Sequence, residues 1–263
     1  MLRIFSCLVL CLMLLPGPAA AQTPGSPGAQ ATAAGGCVVL LHGLGRTPMS
    51  MQAVAATLRR AGYRVVNTAY PSTRAPIAEL ARNIDRAVAV CSGSDVHFVT
   101  HSMGGILLRL WLSQNRPPRL GRVVMIAPPN SGSDLVDVFG DLEPFYWLFG
   151  PAGRELGTDQ EATPRRLPPA DYDLGVIAGN FSLNPLSSAL IDGADDGTVA
   201  VEATRVEGMR DHVTLSASHS LILWNPETLV QVLTFLSTGR FDHSLGSGTD
   251  AWRRLAGMLQ SRP

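Results

Sequence analysis

Ser102 stands where an apolar run, Val96-His97-Phe98-Val99-Thr100-His101, breaks abruptly into Met103-Gly104-Gly105. Beyond it Ile106, Leu107, Leu110 and Trp111 recur at helical spacing. A serine on a tight strand-to-helix turn sits on strained backbone with its hydroxyl above the sheet, and Gly104 lets the helix approach closely. The N-terminus of that helix faces any oxyanion formed nearby. The hydroxyl is a poor nucleophile until a base takes its proton and an acid orients that base. Downstream the chain offers His219, in Ser218-His219-Ser220, and three carboxylates in one glycine-rich loop, Asp192, Asp195 and Asp196. His219 follows a predicted strand and precedes the final helix, where a loop can fold back over the sheet. The other histidines suit the task less well. His101 adjoins the serine but is expected to point away from it, His97 lies inside the strand, and His42 belongs to a His-Gly turn. His212 starts a strand at the wrong end of the sheet, and His243 lies in the tail. The aspartates lack the alternating ligand spacing of a calcium loop, so no metal is expected.

The elements that must position these groups follow a regular rhythm. Cys37–Leu41 is a continuous apolar run, as in a strand covered on both faces. Met49 to Ala61 has helical spacing, Tyr63 to Tyr70 reads as a strand, and Ile77 to Val90 as a helix. The Ser102 strand and helix come next, then strands at Arg122–Ala127, Leu174–Gly179 and Val213–Ser216, and a helix over Pro226–Leu236 capped by Asn225. Alternating strands and helices imply a parallel sheet. The rhythm lapses between residues 128 and 170, a length that usually marks a lid or binding loop. Its aromatic residues Phe145, Tyr146, Trp147 and Phe149 suit an apolar acyl site or a lid that meets lipid, or equally the core of a cap. The 239–263 tail holds one weak helical patch, Trp252–Leu259, with no assigned role.

Composition sets the bounds. A chain of 263 residues, 46% hydrophobic and 16% charged, can bury a single sizeable core. The formal net charge is zero, so nothing points to nucleic acid. All basic residues are Arg, read as compositional bias. Met1-Leu2-Arg3, the apolar run to Leu15 and a small-residue stretch ending at Ala21 have the three parts of a secretory signal over residues 1–21. The apolar run is short for a membrane span, which leaves a retained N-terminal helix as the lesser reading. Residues 22–36 read as a flexible leader, and residues 37–238 as one domain.

The Thr100-His101-Ser102-Met103-Gly104-Gly105 stretch resembles the nucleophile elbow of α/β-hydrolases, with Thr100 in place of the usual first glycine. The resemblance implies an α/β-hydrolase fold: a mostly parallel central sheet, helices on both faces and a lid or cap insertion. It also implies the chain order serine, acid, histidine, which Ser102, the aspartate loop and His219 follow. Asp196-Gly197-Thr198-Val199 looks like the Asp-Gly-x-Val step that carries the acid in bacterial lipases. Asp196 is therefore the first choice for the acid, with Asp195 and then Asp192 behind it. His42-Gly43-Leu44-Gly45 resembles the His-Gly element of the superfamily, which implies that the Leu44 and Met103 N–H groups form the oxyanion hole. With Cys7 and Cys11 in the signal segment, Cys37 and Cys91 remain as an even pair. In this fold both fall at the sheet edge away from the active site and are expected to form one disulfide; two buried free thiols are the alternative.

The expected function is a secreted serine hydrolase, periplasmic or extracellular, that cleaves carboxylic and in particular acyl or lipid esters through an acyl-enzyme on Ser102, without a cofactor. Transient contact with a lipid surface through the lid is expected too. The same triad suits an acyltransferase, a thioesterase or an amidase, and a non-catalytic lipid-binding protein on this fold is the remaining alternative.

Overall fold

The computed structural model describes residues 35–260. The signal segment and nearly all of the leader lie outside the described residues. Among these residues six strands form one parallel sheet: β1 (Cys37–Leu41), β2 (Arg64–Asn67), β3 (Val96–His101), β4 (Leu120–Ile126), β5 (Leu174–Gly179) and β6 (Asp211–Leu215). Their order is β2-β1-β3-β4-β5-β6. The strand carrying Ser102 thus lies inside the sheet, paired with β1 on one side and β4 on the other.

Successive strand residues point to opposite faces, and the core divides accordingly. Val39, Leu41, Phe98, Val123 and Met125 pack on one side with α2 (Ile77–Ala81), α3 (Asn83–Val90) and α4 (Met103–Gln114). Val38, Leu40, Val99, Val124 and Ile126 pack on the other with α1 (Gln52–Arg60) and α9 (Pro226–Thr238). The unbroken apolar runs in β1 and in Val123–Ile126 of β4 follow from burial on both faces.

The segment predicted as one helix over Ile77–Val90 is two, divided at Arg82. The strand predicted over Tyr63–Tyr70 is shorter, Arg64–Asn67, at the edge of the sheet, where among the described residues one side has no partner strand. α9 starts as its sequence specifies: the Asn225 side chain accepts from the Glu227 N–H, Pro226 takes the first helical position, and Gly239 ends it in the left-handed region. Between residues 128 and 170 lie three helices, α5 (Asp134–Phe139), α6 (Glu143–Arg154) and α7 (Thr163–Arg166). α6 kinks at Gly150, where φ is 64° and any Cβ would collide with the Thr73 carbonyl. After β5 comes the short α8 (Pro185–Ser188), and the tail forms α10 (Thr249–Gln260), which buries Ala251 and Leu255 against the α9 side. No helix among the described residues is long and apolar enough to cross a membrane.

Cys37, at the amino end of β1, is bonded to Cys91, which caps α3, and both are fully buried. The bond ties the first strand to the segment leading into β3, across a separation of 54 residues.

Candidate active site

The carboxyl ends of five strands deliver the site. Gly43 follows β1, Ser102 follows β3, Pro129 follows β4, Asp196 lies in the long loop after β5, and His219 follows β6. Ligands of open parallel sheets bind at this edge.

Ser102 has φ 53° and ψ −129°, a left-handed-side conformation that non-glycine residues rarely adopt. Such a position costs on the order of 1–3 kcal/mol and must be held by its surroundings. The Ser102 N–H donates to the Ile126 carbonyl at 2.9 Å, and its carbonyl accepts from the Gly105 N–H at 2.9 Å. Gly104 permits the geometry: a Cβ there would sit 2.6 Å from the Leu41 carbonyl oxygen and 2.7 Å from that of His42. Thr100 is fully buried, and its hydroxyl lies 3.3 Å from where a Cβ on Gly105 would stand. Gly105 therefore leaves room for the threonine two residues before the serine.

Ser102, His219 and Asp196 come together. Ser102 Oγ is 3.0 Å from His219 Nε2, and His219 Nδ1 is 2.7 Å from Asp196 Oδ2. A carboxylate only accepts, so Nδ1 carries the proton and Nε2 is left to accept from the serine. The other carboxylate oxygen of Asp196 accepts from the Thr198 and Val199 N–H groups at 3.0 and 2.9 Å. The His219 N–H donates to the Asp196 carbonyl at 2.9 Å. Gly179, at the end of β5, makes room for this approach: a Cβ there would stand 2.9 Å from Asp196 Cβ and 2.4 Å from the Ala217 carbonyl oxygen. Asp195 turns elsewhere, its Oδ1 accepting from the Gly197 N–H and the Ser188 hydroxyl. Asp192 is exposed.

The turn after β1 lies against the serine, with the Cβ position of Gly43 3.0 Å from Ser102 Cβ. Leu44 follows Gly43 in this turn, and Met103 supplies the first amide of α4. Among the described residues neither N–H meets a protein acceptor. His42 does not face the serine: its ring stacks on Tyr70 at 4.0 Å, and burial lowers its pKa.

His101 departs from the sequence reading. Its side chain does not point away from the site; it lies 4.9 Å, ring to ring, from His219. Its Nε2 is 2.9 Å from the His219 carbonyl oxygen and must donate to it. Its Nδ1 is buried and has no partner among the described residues. Burial, reinforced by repulsion from His219, holds the His101 pKa well below its ordinary value. The ring is thus a neutral strut under the backbone of His219. Sequence gave one signal, adjacency to Ser102, but not the path of the distant loop that the ring supports.

These groups open into a cavity of about 680 Å³. The excursion supplies its apolar wall, with Leu135, Val136, Phe139, Phe145, Leu148 and Phe149 among the lining residues. The aromatic cluster divides by helix face: Phe145 and Phe149 pack 4.7 Å apart in the cavity wall, whereas Tyr146 and Trp147 face outward, Trp147 82% exposed. Among the described residues no group of three or more His, Cys, Asp or Glu can hold a metal ion.

A family model described as "Alpha/beta hydrolase family" matches residues 38–257. A search of curated proteins finds no match. Among solved structures, the mature Bacillus licheniformis lipase BlEst2 superposes with a TM-score of 0.61 at 18% identity, covering 81% of this chain and 94% of that one. A metagenomic carboxyl esterase superposes at 0.57 with 22% identity, covering 77% and 69%. The phospholipase PlaB from Legionella pneumophila superposes at 0.60 with 18% identity, covering 86% of this chain but 63% of the Legionella protein. At these identities the likeness is one of fold.

Proposed function

The chain belongs to the alpha/beta hydrolase family, and from that premise we propose that it is an exported serine hydrolase cleaving acyl esters through a covalent intermediate on Ser102. The observation that carries the reading is the continuous hydrogen-bonded chain Asp196–His219–Ser102 at the floor of an apolar cavity. In the reaction, Ser102 Oγ attacks the ester carbonyl carbon while His219 Nε2 takes the hydroxyl proton. The carbonyl oxygen becomes an oxyanion between the Leu44 and Met103 N–H groups, an interaction worth roughly 3–4 kcal/mol per donor. Collapse breaks the bond to the alcohol, which leaves with the proton from His219. Water then attacks the acyl-enzyme, giving its proton to His219. The second collapse returns that proton to Ser102 and releases the carboxylic acid. No step needs a cofactor.

The apolar wall favours an aliphatic acyl group, and outward-facing Trp147 suits transient contact with a lipid surface. The lipase and esterase neighbours accord with that substrate class, and the disulfide accords with an oxidising compartment. Covalent labelling with a fluorophosphonate, followed by mass mapping, tests the mechanism. Label is expected on Ser102, absent in Ser102→Ala and weakened in His219→Ala. A folded, detergent-treated wild type that takes no label sinks the mechanism, and a flat, negligible response to esters of every chain length sinks the substrate class.

A further inference from the structure

The cavity lining is partitioned by element. The residues from the excursion are apolar apart from Ser133, whereas the polar ones besides His101, Ser102 and His219, namely Arg46, Asn184, Ser187, Thr198 and Ser220, come from the loops after β1, β5 and β6. Asn184 and Ser187 are committed to each other and to capping α8. Arg46 is different. It lies two residues beyond Leu44, is solvent-exposed, and is the one Lys, Arg, Asp or Glu side chain in this lining among the described residues. It has no carboxylate partner among them, and its Nη2 donates to the hydroxyl of Ser220, the residue after His219. A guanidinium has five N–H donors in a planar fork matched to the oxygens of phosphate and carboxylate. Arg46 therefore presents positive charge and unused donors at the polar side of a cavity whose other side takes hydrocarbon. Its charge also bears on His101, beside Ser102, which places it within electrostatic reach of the reacting centre.

We propose that Arg46, steadied by Ser220, binds an anionic oxygen group on the alcohol half of the ester. The preferred substrate is then an acyl ester whose alcohol carries a phosphate or carboxylate. The assignment to the alcohol half follows from the partition: the acyl chain takes the apolar wall, which leaves the charge on the leaving group. This rests on the ester-hydrolase reading above and names the substrate class for it.

The test compares three esters of one acyl chain, short enough to stay monomeric: the neutral monoacylglycerol, its glycerol phosphate counterpart, and the O-acyl derivative of a hydroxy acid. The quantity read is the ratio of kcat/KM for an anionic ester to that for the neutral one, which cancels partial misfolding within each variant. Wild type is expected to favour at least one anionic ester by about tenfold, the scale of one charge-assisted hydrogen bond. Comparison of the two anionic esters tells phosphate from carboxylate. Arg46→Gln should bring the ratio close to one, Arg46→Lys should retain most of the preference, and Arg46→Glu should invert it. A wild-type ratio near one, or an unchanged ratio in Arg46→Gln, overturns the proposal. So does an equal proportional loss on all three esters in Arg46→Gln and Ser220→Ala, which would make Arg46 an anchor for the His219 loop. If Ser102 takes the fluorophosphonate label and the charge preference is missing, only this proposal falls; if there is neither label nor turnover, the ester-hydrolase reading falls with it.

Discussion

An imidazole beside a serine hydroxyl has no fixed direction of proton transfer until its far nitrogen is committed as a donor. Asp196 makes that commitment through its 2.7 Å contact with His219 Nδ1, and two backbone N–H groups hold its second oxygen. Asp196→Asn can present an amide N–H to Nδ1 and favour the wrong tautomer, so kcat/KM should fall by roughly a thousandfold or more. Asp195→Asn keeps an acceptor for Gly197 and Ser188, and its loss should stay within about tenfold. Steady-state rates on a soluble ester decide, and a larger loss in Asp195→Asn than in Asp196→Asn would move the acid to Asp195. His101 calls for a different comparison. His101→Phe fills the ring's volume but cannot donate to the His219 carbonyl, so kcat should fall roughly tenfold while KM changes little. The variant removes a buried nitrogen without a partner among the described residues but also strips the His219 carbonyl of its donor, so the two effects oppose and the thermal midpoint should change little; a lower midpoint with unchanged kcat would make the ring merely structural. Ser102 and His219 are legible in the chain because each follows a recognisable strand. The choice among three neighbouring aspartates is a matter of aim, which residue type does not encode. The part played by His101 depends on contact with a loop 118 residues away.

Elements set how finely these groups can be placed. α4 is pressed so closely on the exit of β1 that a methyl group at residue 104 would meet two carbonyl oxygens, neither the end of a flexible side chain. Gly104→Ala must push the helix away from the turn carrying Leu44, separating the two proposed oxyanion donors. Stability should fall by about 2 kcal/mol, read as a urea midpoint, and turnover should fall well beyond that expected from the unfolded fraction. Turnover following the folded fraction alone would refute the coupling. α6 supports a separate prediction. Trp147 lies on the face away from the cavity, so Trp147→Ser should leave hydrolysis of a monomeric ester intact and weaken hydrolysis of the same ester in emulsion several-fold. Equal rates on the emulsion would remove this face from lipid contact. The inner strands are legible because short apolar runs bounded by glycine- or proline-rich turns fit strands covered on both faces better than helices. The break at Arg82 is not, since both halves of that segment carry the same helical period. The aromatic run in α6 read two ways because it serves two faces of one helix.

At the scale of the whole molecule, the fold withdraws titratable groups from water as the sheet closes. The Cys37–Cys91 bond spans a loop whose closure contributes about 4 kcal/mol on the chain-entropy estimate, without any dependence on charge at neutral pH. Four histidines do introduce such a dependence. His42, His97 and His101 have pKa values lowered chiefly by burial, and His212 is brought down from 6.5 to about 4 by the same cause. In the unfolded chain these rings take up protons near 6.5, while in the folded protein they stay neutral to lower pH. Between the two values the unfolded state binds more protons, so stability rises with pH there and is lost as pH falls from 6.5 toward 4. The lowered carboxyls of Asp171, Asp211 and Asp242 act in the same direction, but only near and below their ordinary value of 3.8. The histidine contribution can therefore be isolated. Urea midpoints should fall between about pH 7 and about pH 5, before those carboxyls protonate. His212→Gln can keep a donor for Thr204 but has no titrating ring, so it should flatten part of that slope. Midpoints that do not change over this range would mean that the buried rings titrate as freely in the folded protein as in the open chain.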